Sequence, residues 1–271
     1  MWITRPLTVE STTVETLAGD ASIGEQIFHL GACASCHVTP GGEAMVLAGG
    51  REFLSDFGTF VAPNITPDAT NGIGSWRQAD FFNAMRHGTS PEGKHYFPAF
   101  PYASYTRMTD ADIANLWAFL ATLPTSDRPT ENHRLTFPFN IRATVGVWKA
   151  FYLRSAYVQT AGDTERGRYL VEAIGHCAEC HTPRTALGGL RTEKWMAGAP
   201  DPSGKGKIPG LTPAQLDWSQ GDIAYYLETG FTPDFDSAGG GMVAVIAGTS
   251  KLPAEDRDAI AAYIKALPAA Q

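Results

Sequence analysis

A pentapeptide that occurs twice limits this chain more than any other feature. Cys33-Ala34-Ser35-Cys36-His37 returns 144 residues later as Cys177-Ala178-Glu179-Cys180-His181, and the two copies hold all four cysteines. Their surroundings repeat as well. Leu123-Pro124 returns as Leu267-Pro268, and Gly19-Asp20 and Gly24 answer to Gly162-Asp163 and Gly167. Trp76, Asp80, Gly88 and Pro91 match Trp218, Asp222, Gly230 and Pro233, and Thr66-Pro67 echoes Thr212-Pro213. Matches in order along the whole length, with small gaps, signal duplication, so two similar domains are expected. The length of 271 residues suits two domains of ordinary size. The first copy reads as 17–124 and the second as 161–271, with a connecting segment, 125–160, belonging to neither. That segment begins polar and turn-rich at Thr125-Ser126-Asp127-Arg128-Pro129, then becomes aromatic with Phe137, Phe139, Trp148, Phe151, Tyr152 and Tyr157. A free linker would not carry so many rings, so the segment is expected to pack on one or both domains.

The periodicity predicts mostly α domains. Thr109 is a good N-cap with Asp112 three residues on, and Leu116, Phe119, Leu120 and Leu123 fall on one helical face. Ile260, Tyr263, Ile264 and Leu267 repeat that face in the second copy. Opening helices are expected from Ile23 to Leu30 and from Arg166 to Ile174. Middle helices are expected from Gln78 to Arg86 and from Asp222 to Thr229. Gly- and Pro-rich loops separate them, and no alternating strand pattern persists.

The chemistry of Cys-x-x-Cys-His explains its spacing. Two thiols three residues apart, just after a helix, can reach two vinyl groups on one porphyrin edge. The histidine that follows is turned beneath the ring to bind iron from the proximal side. Zinc pairing would require the two units to lie close in sequence. A redox dithiol usually sits in a βαβ context, and structural disulfides join elements rather than residues within a tight motif. Two motifs that consume every cysteine, at equivalent places of a repeat, predict two covalently bound haem c groups. These are held by Cys33, Cys36 and His37, and by Cys177, Cys180 and His181. Covalent haem of this kind is assembled outside the cytoplasmic membrane in bacteria, so the expected compartment is the periplasm.

Composition narrows the partners. Hydrophobic residues at 44% and charged residues at 18% are enough for a packed core. A formal net charge of −7 argues against nucleic-acid binding and favours a partner with a basic patch or an apolar docking face. No run of about 18 apolar residues spans a bilayer. Trp2 and Ile3, just before Arg5, read as the trailing edge of an N-terminal membrane anchor removed from this chain, against the alternative of an ordinary frayed terminus.

A low-spin electron-transfer haem takes Met or His as its second axial ligand. In the second copy Met242 follows Gly239-Gly240-Gly241, glycines that let a loop approach the ring, whereas Met196 beside Trp195 reads as packing. In the first copy the repeat places Pro98 to Phe100 near the Met242 slot, and Met108 opposite Leu252. Met108, on the loop before the closing helix, is the favoured ligand; His87, His95, Met85 or an open site are the alternatives. The expected metal ligands are therefore His37, Met108, His181 and Met242.

At these residues the chain resembles the di-haem c-type cytochromes that form subunits of bacterial periplasmic alcohol and gluconate dehydrogenases. The resemblance runs through Ala62-Pro63-Asn64-Ile65-Thr66-Pro67, Arg86-His87-Gly88, Tyr96-Phe97-Pro98-Ala99-Phe100-Pro101-Tyr102, Phe137-Pro138-Phe139-Asn140 and Thr249-Ser250-Lys251-Leu252. It implies two tandem class I-like cytochrome c domains that pass single electrons from a dehydrogenase to a downstream cytochrome or oxidase. Where such relatives often carry a distal methionine, this chain has Phe100. The competing reading is a di-haem enzyme, a peroxidase or thiosulfate or sulfur-compound oxidoreductase, with an open or labile first haem. Arg86, His87 and Glu92 lie near the region where it would need an acid–base pair.

Overall fold

A computed structural model describes residues 4–159, 162–201 and 206–268. Trp2 and Ile3 lie outside the described residues. The chain separates into two compact units: Met1–Phe28 with Cys33–Leu153, and His29–Ala32 with Arg154–Gln271.

In the first unit, helices α1 (Ser11–Val14), α2 (Ala21–Leu30, all but its last two residues) and α3 (Cys33–His37) precede a hairpin, β1 (Glu52–Ser55) and β2 (Gly58–Val61). Helices α4 (Gln78–His87), α5 (Tyr102–Tyr105) and α6 (Asp110–Leu120), strand β3 (Arg134–Leu135) and helix α7 (Ala143–Tyr152) complete it. The Thr109 hydroxyl caps α6 by accepting the Asp112 amide at 3.1 Å, as its sequence position predicts. Gly24 explains how α2 meets α6. A Cβ there would stand 2.0 Å from the Asn115 carbonyl oxygen, so only glycine lets the backbones come this close. Phe28 and Phe119 fill the crossing, with ring centroids 5.2 Å apart.

The second unit repeats the plan. Helix α8 (Glu165–Tyr169) runs into a π-helical turn, Leu170–Ile174, followed by α9 (Ala178–His181), a short β4–β5 pair (Ala199–Pro200, Lys207–Ile208), α10 (Gln220–Thr229), α11 (Met242–Thr249) and α12 (Ala254–Lys265). Gly167 does at α8–α12 what Gly24 does in the first unit: a Cβ would lie 1.9 Å from the Ala259 oxygen. Helix α10 begins two residues before its expected start, because Ser219 and Asp222 close a capping box.

One expectation is revised. A three-stranded antiparallel sheet, β1-β2-β3, exists where no strand was expected. All four β1 residues are exposed, so the strand has no buried face to impose alternation on its sequence. Residues 125–153 of the connecting segment, through β3 and α7, are built into the first unit, and residues 154–159 fall in the second. The segment is held less by its phenylalanines than expected, since Phe137 and Phe151 remain 79% and 65% exposed. Trp148 instead packs edge-on to Tyr102 at 6.2 Å, and Lys149 donates to the His87 and Gly88 carbonyls at the end of α4.

Candidate haem-binding sites

Each Cys-x-x-Cys-His motif is delivered by a turn between two helices. The residue before the first cysteine, Ala32 or His176, lies in the left-handed region at φ 47° or 39°. Neither is glycine, so the same local strain is held at equivalent places of the repeat. That turn swings the chain into α3 or α9 and sets the histidine at the end of the short helix.

The imidazoles are then fixed alike. His37 Nδ1 donates to the Pro63 carbonyl at 2.9 Å, and His181 Nδ1 to the Pro209 carbonyl at 2.8 Å. With Nδ1 as the donor, Nε2 keeps its lone pair, which is the tautomer an iron ligand requires. Burial holds both imidazoles below the usual histidine range, despite the carbonyl that favours protonation, so they stay neutral. A second shared bond closes each loop: Gly49 N to His37 O at 2.7 Å, and Gly198 N to His181 O at 2.8 Å.

Among the described residues no disulfide joins the cysteines. Burial pushes the thiols of Cys33 and Cys177 up to about 12, the opposite of the lowered pKa that a redox dithiol needs. Nor, among the described residues, does any cluster of three or more His, Cys, Asp or Glu form a cage for a bare metal ion. Two adjacent thiols and a neutral imidazole with a free Nε2 fit a thioether-linked haem in both copies.

The other residues singled out in the sequence fall as follows. Met242 opens α11, half-buried, directly after its glycines. Met108 is 2% exposed, and its carbonyl accepts the Arg86 guanidinium at 2.8 Å. Met196 is fully buried, and Met85 lies inside α4 at 4% exposure. His95 has both ring nitrogens engaged, Nε2 with the Thr4 carbonyl at 2.9 Å and Nδ1 with Lys149 at 3.0 Å. Arg86 is spent on Thr106 O, Met108 O and Asp110, and Glu92 accepts the Ser90 hydroxyl. Asn64 donates to Ser126 O and Arg128 O. It pins the connecting segment with both of its amide hydrogens. Sequence reasoning missed the left-handed turn before each motif and the two carbonyl partners. The matched Pro63 and Pro209 were the available signal.

The cytochrome c family model matches residues 21–124 and again 164–268. The chain belongs to the cytochrome c family. A diheme cytochrome c-type protein of Cereibacter sphaeroides is 55% identical over 275 residues, covering 99% of this chain and 93% of that one. The fructose dehydrogenase cytochrome subunit of Gluconobacter japonicus is 38% identical over 88% of this chain and 50% of its own length. The gluconate 2-dehydrogenase cytochrome c subunit of Pantoea cypripedii is 33% identical over 93% of this chain and 61% of its own. The chain thus spans nearly all of the first relative, half of the second and about three-fifths of the third. This family member is a mostly α protein with two cytochrome c domains in tandem, two covalently bound haem c groups and a role in electron transfer.

Proposed function

We propose that this cytochrome accepts electrons singly from a periplasmic dehydrogenase and passes them to a downstream cytochrome or oxidase. Cys33, Cys36 and His37 hold the first haem; Cys177, Cys180 and His181 hold the second, with Met242 as its distal ligand. The observation that carries this reading is the matched imidazole–carbonyl bond, His37 to Pro63 and His181 to Pro209, because it fixes the ligand nitrogen in both copies. Each haem, when bound, supplies reversible one-electron exchange at iron. The chain's own part is to orient the imidazole, exclude water and surround the ring with low dielectric, which raises the cost of the ferric charge.

Two relatives that are cytochrome subunits of sugar or sugar-acid dehydrogenases support the donor class. The net charge of −7 suits a basic docking patch on a partner. Among the described residues no helix is long and apolar enough to cross a membrane. Export for covalent haem attachment supports a periplasmic location. A catalytic reading gains nothing from Arg86, whose guanidinium is already engaged by Thr106 O, Met108 O and Asp110.

Redox titration of the two-haem protein tests the assignment. Met242→His should lower one midpoint potential by a large step and leave the other in place, since methionine ligation raises the potential. Two unchanged potentials would remove Met242 from the ligand set. The donor is tested by adding substrate to alcohol- or gluconate-oxidising dehydrogenase subunits stripped of their own cytochrome. Haem reduction within the turnover time is expected, and none with either enzyme would end the proposed partnership.

A further inference from the structure

The two copies share the turns that lead from the middle helix into the distal loop and then part. Gly88 and Gly230 both close their helices in the left-handed region, at φ 57° and 78°. Tyr96 N donates to Gly88 O at 2.7 Å, and Ala238 N to Gly230 O at 2.7 Å. Four residues on, the same turn recurs: Phe100 N donates to Phe97 O at 3.1 Å, and Met242 N to Gly239 O at 3.2 Å. Phe100 therefore holds the turn position of Met242. Past this point the register slips by two residues. Met108 N donates to Tyr105 O, and Leu252 N to Thr249 O, each just before the closing helix. Met108 is thus the counterpart of Leu252, both buried at 2% and 5% exposure, a place the second copy fills with a side chain that cannot bind iron. Met85 stands likewise at the place of Leu227 within its helix, both buried, and both ring nitrogens of His95 are engaged.

We infer that the first haem has no methionine ligand, and that its distal side, lined by Phe100, takes a small exogenous ligand such as carbon monoxide, nitric oxide or cyanide. A phenyl ring offers iron no lone pair. The Phe100 ring is braced by Tyr105, Tyr96 and Tyr102 at centroid distances of 5.7, 6.1 and 6.1 Å, so that side of the loop is aromatic rather than coordinating. The inference rests on the two-haem reading above.

The test uses the full chain, shown by mass to carry both haems. Two readouts are needed: the near-infrared methionine–iron band of the ferric protein, and carbon monoxide uptake by the reduced protein. Wild type should show the band of one haem and take up about one carbon monoxide per chain. Phe100→Met should roughly double the band and cut uptake at least about tenfold. Met108→Leu should change neither. Phe100→Leu, which supplies no ligand, should keep the uptake and serves if Phe100→Met does not fold. A two-haem protein that takes up no carbon monoxide, or loses half its methionine band in Met108→Leu, overturns the inference. So does a bis-histidine signal that disappears in His87→Ala. A chain lacking the haem mass would sink the underlying reading instead.

Discussion

Phe28 and Phe119 pack ring against ring in the first copy; Glu172 and Tyr263 stand at the same two places in the second. Glu172, 1% exposed, accepts the amides of Val158 and Gln159 and the Tyr263 hydroxyl, which itself accepts Trp195 Nε1. Burial, reinforced by the neighbouring carboxylate, holds the Tyr263 phenol well above its usual range, so it remains a donor. Removing one member strands the others: Glu172→Leu or Tyr263→Phe should each cost about 1–3 kcal/mol in denaturant unfolding. The double change Glu172→Phe with Tyr263→Phe copies the first unit's pair and should cost less than the sum, by about 0.5–3 kcal/mol. Strict additivity would show that the network is not coupled. His95 supplies a pH dependence. Burial first, then the Lys149 ammonium, lowers its pKa below the ordinary 6.5, against the Thr4 carbonyl that favours protonation. The unfolded chain therefore binds a proton that the folded chain refuses, so stability is lost as pH falls through about 6.5. Melting temperature should drop between pH 7.5 and 5.5, and His95→Gln should flatten that part of the profile. An equally steep profile in the variant would move the effect to other groups. None of these partners was legible in the sequence, because the repeat pairs Glu172 with an apolar residue and gives no hint of its donors.

Helix crossings show what was legible. Gly24 and Gly167 recur in the sequence, and both sit where two backbones touch. Gly167→Ala improves helix propensity yet places a Cβ 1.9 Å from a backbone oxygen, so overpacking wins and about 1–3 kcal/mol is lost. Gly221 is the control: in the first turn of α10 its nearest neighbour would be 3.8 Å away, and Gly221→Ala should stabilise by about 0.5 kcal/mol. Opposite signs in thermal unfolding followed by helical circular dichroism are the expected result; equal signs would mean that propensity rather than the crossing sets the outcome. The closing helix of the first unit was readable because its cap, Thr109, has a local cause. The π-helical turn at Leu170–Ile174 and the left-handed Ala32 and His176 were not readable, since neither left-handed position is itself a glycine. The exposed strand β1 escaped notice for the opposite reason: with no buried face, it left no period.

At the scale of the whole molecule, duplication means that each copy contains its own cysteine pair, histidine, carbonyl clamp and closing helix. The cysteine motifs made that plan visible at once, whereas the divergence at Phe100 emerged only when the hydrogen-bonded turns of the two copies were matched. If each copy is self-sufficient, haem attachment to one needs nothing from the other. Cys177→Ser with Cys180→Ser should yield a chain carrying a single haem by mass, with the second unit cut early in limited proteolysis because its core lacks the ring that fills it. Cys33→Ser with Cys36→Ser should reverse the pattern: it should keep the methionine–iron band assigned to Met242 and make the first unit the protease-sensitive one. The two single-haem spectra should then sum to that of the intact protein. Loss of both haems from either variant would mean that the copies mature as one cooperative body, and the duplicated sequence would have to be read as a single folding unit.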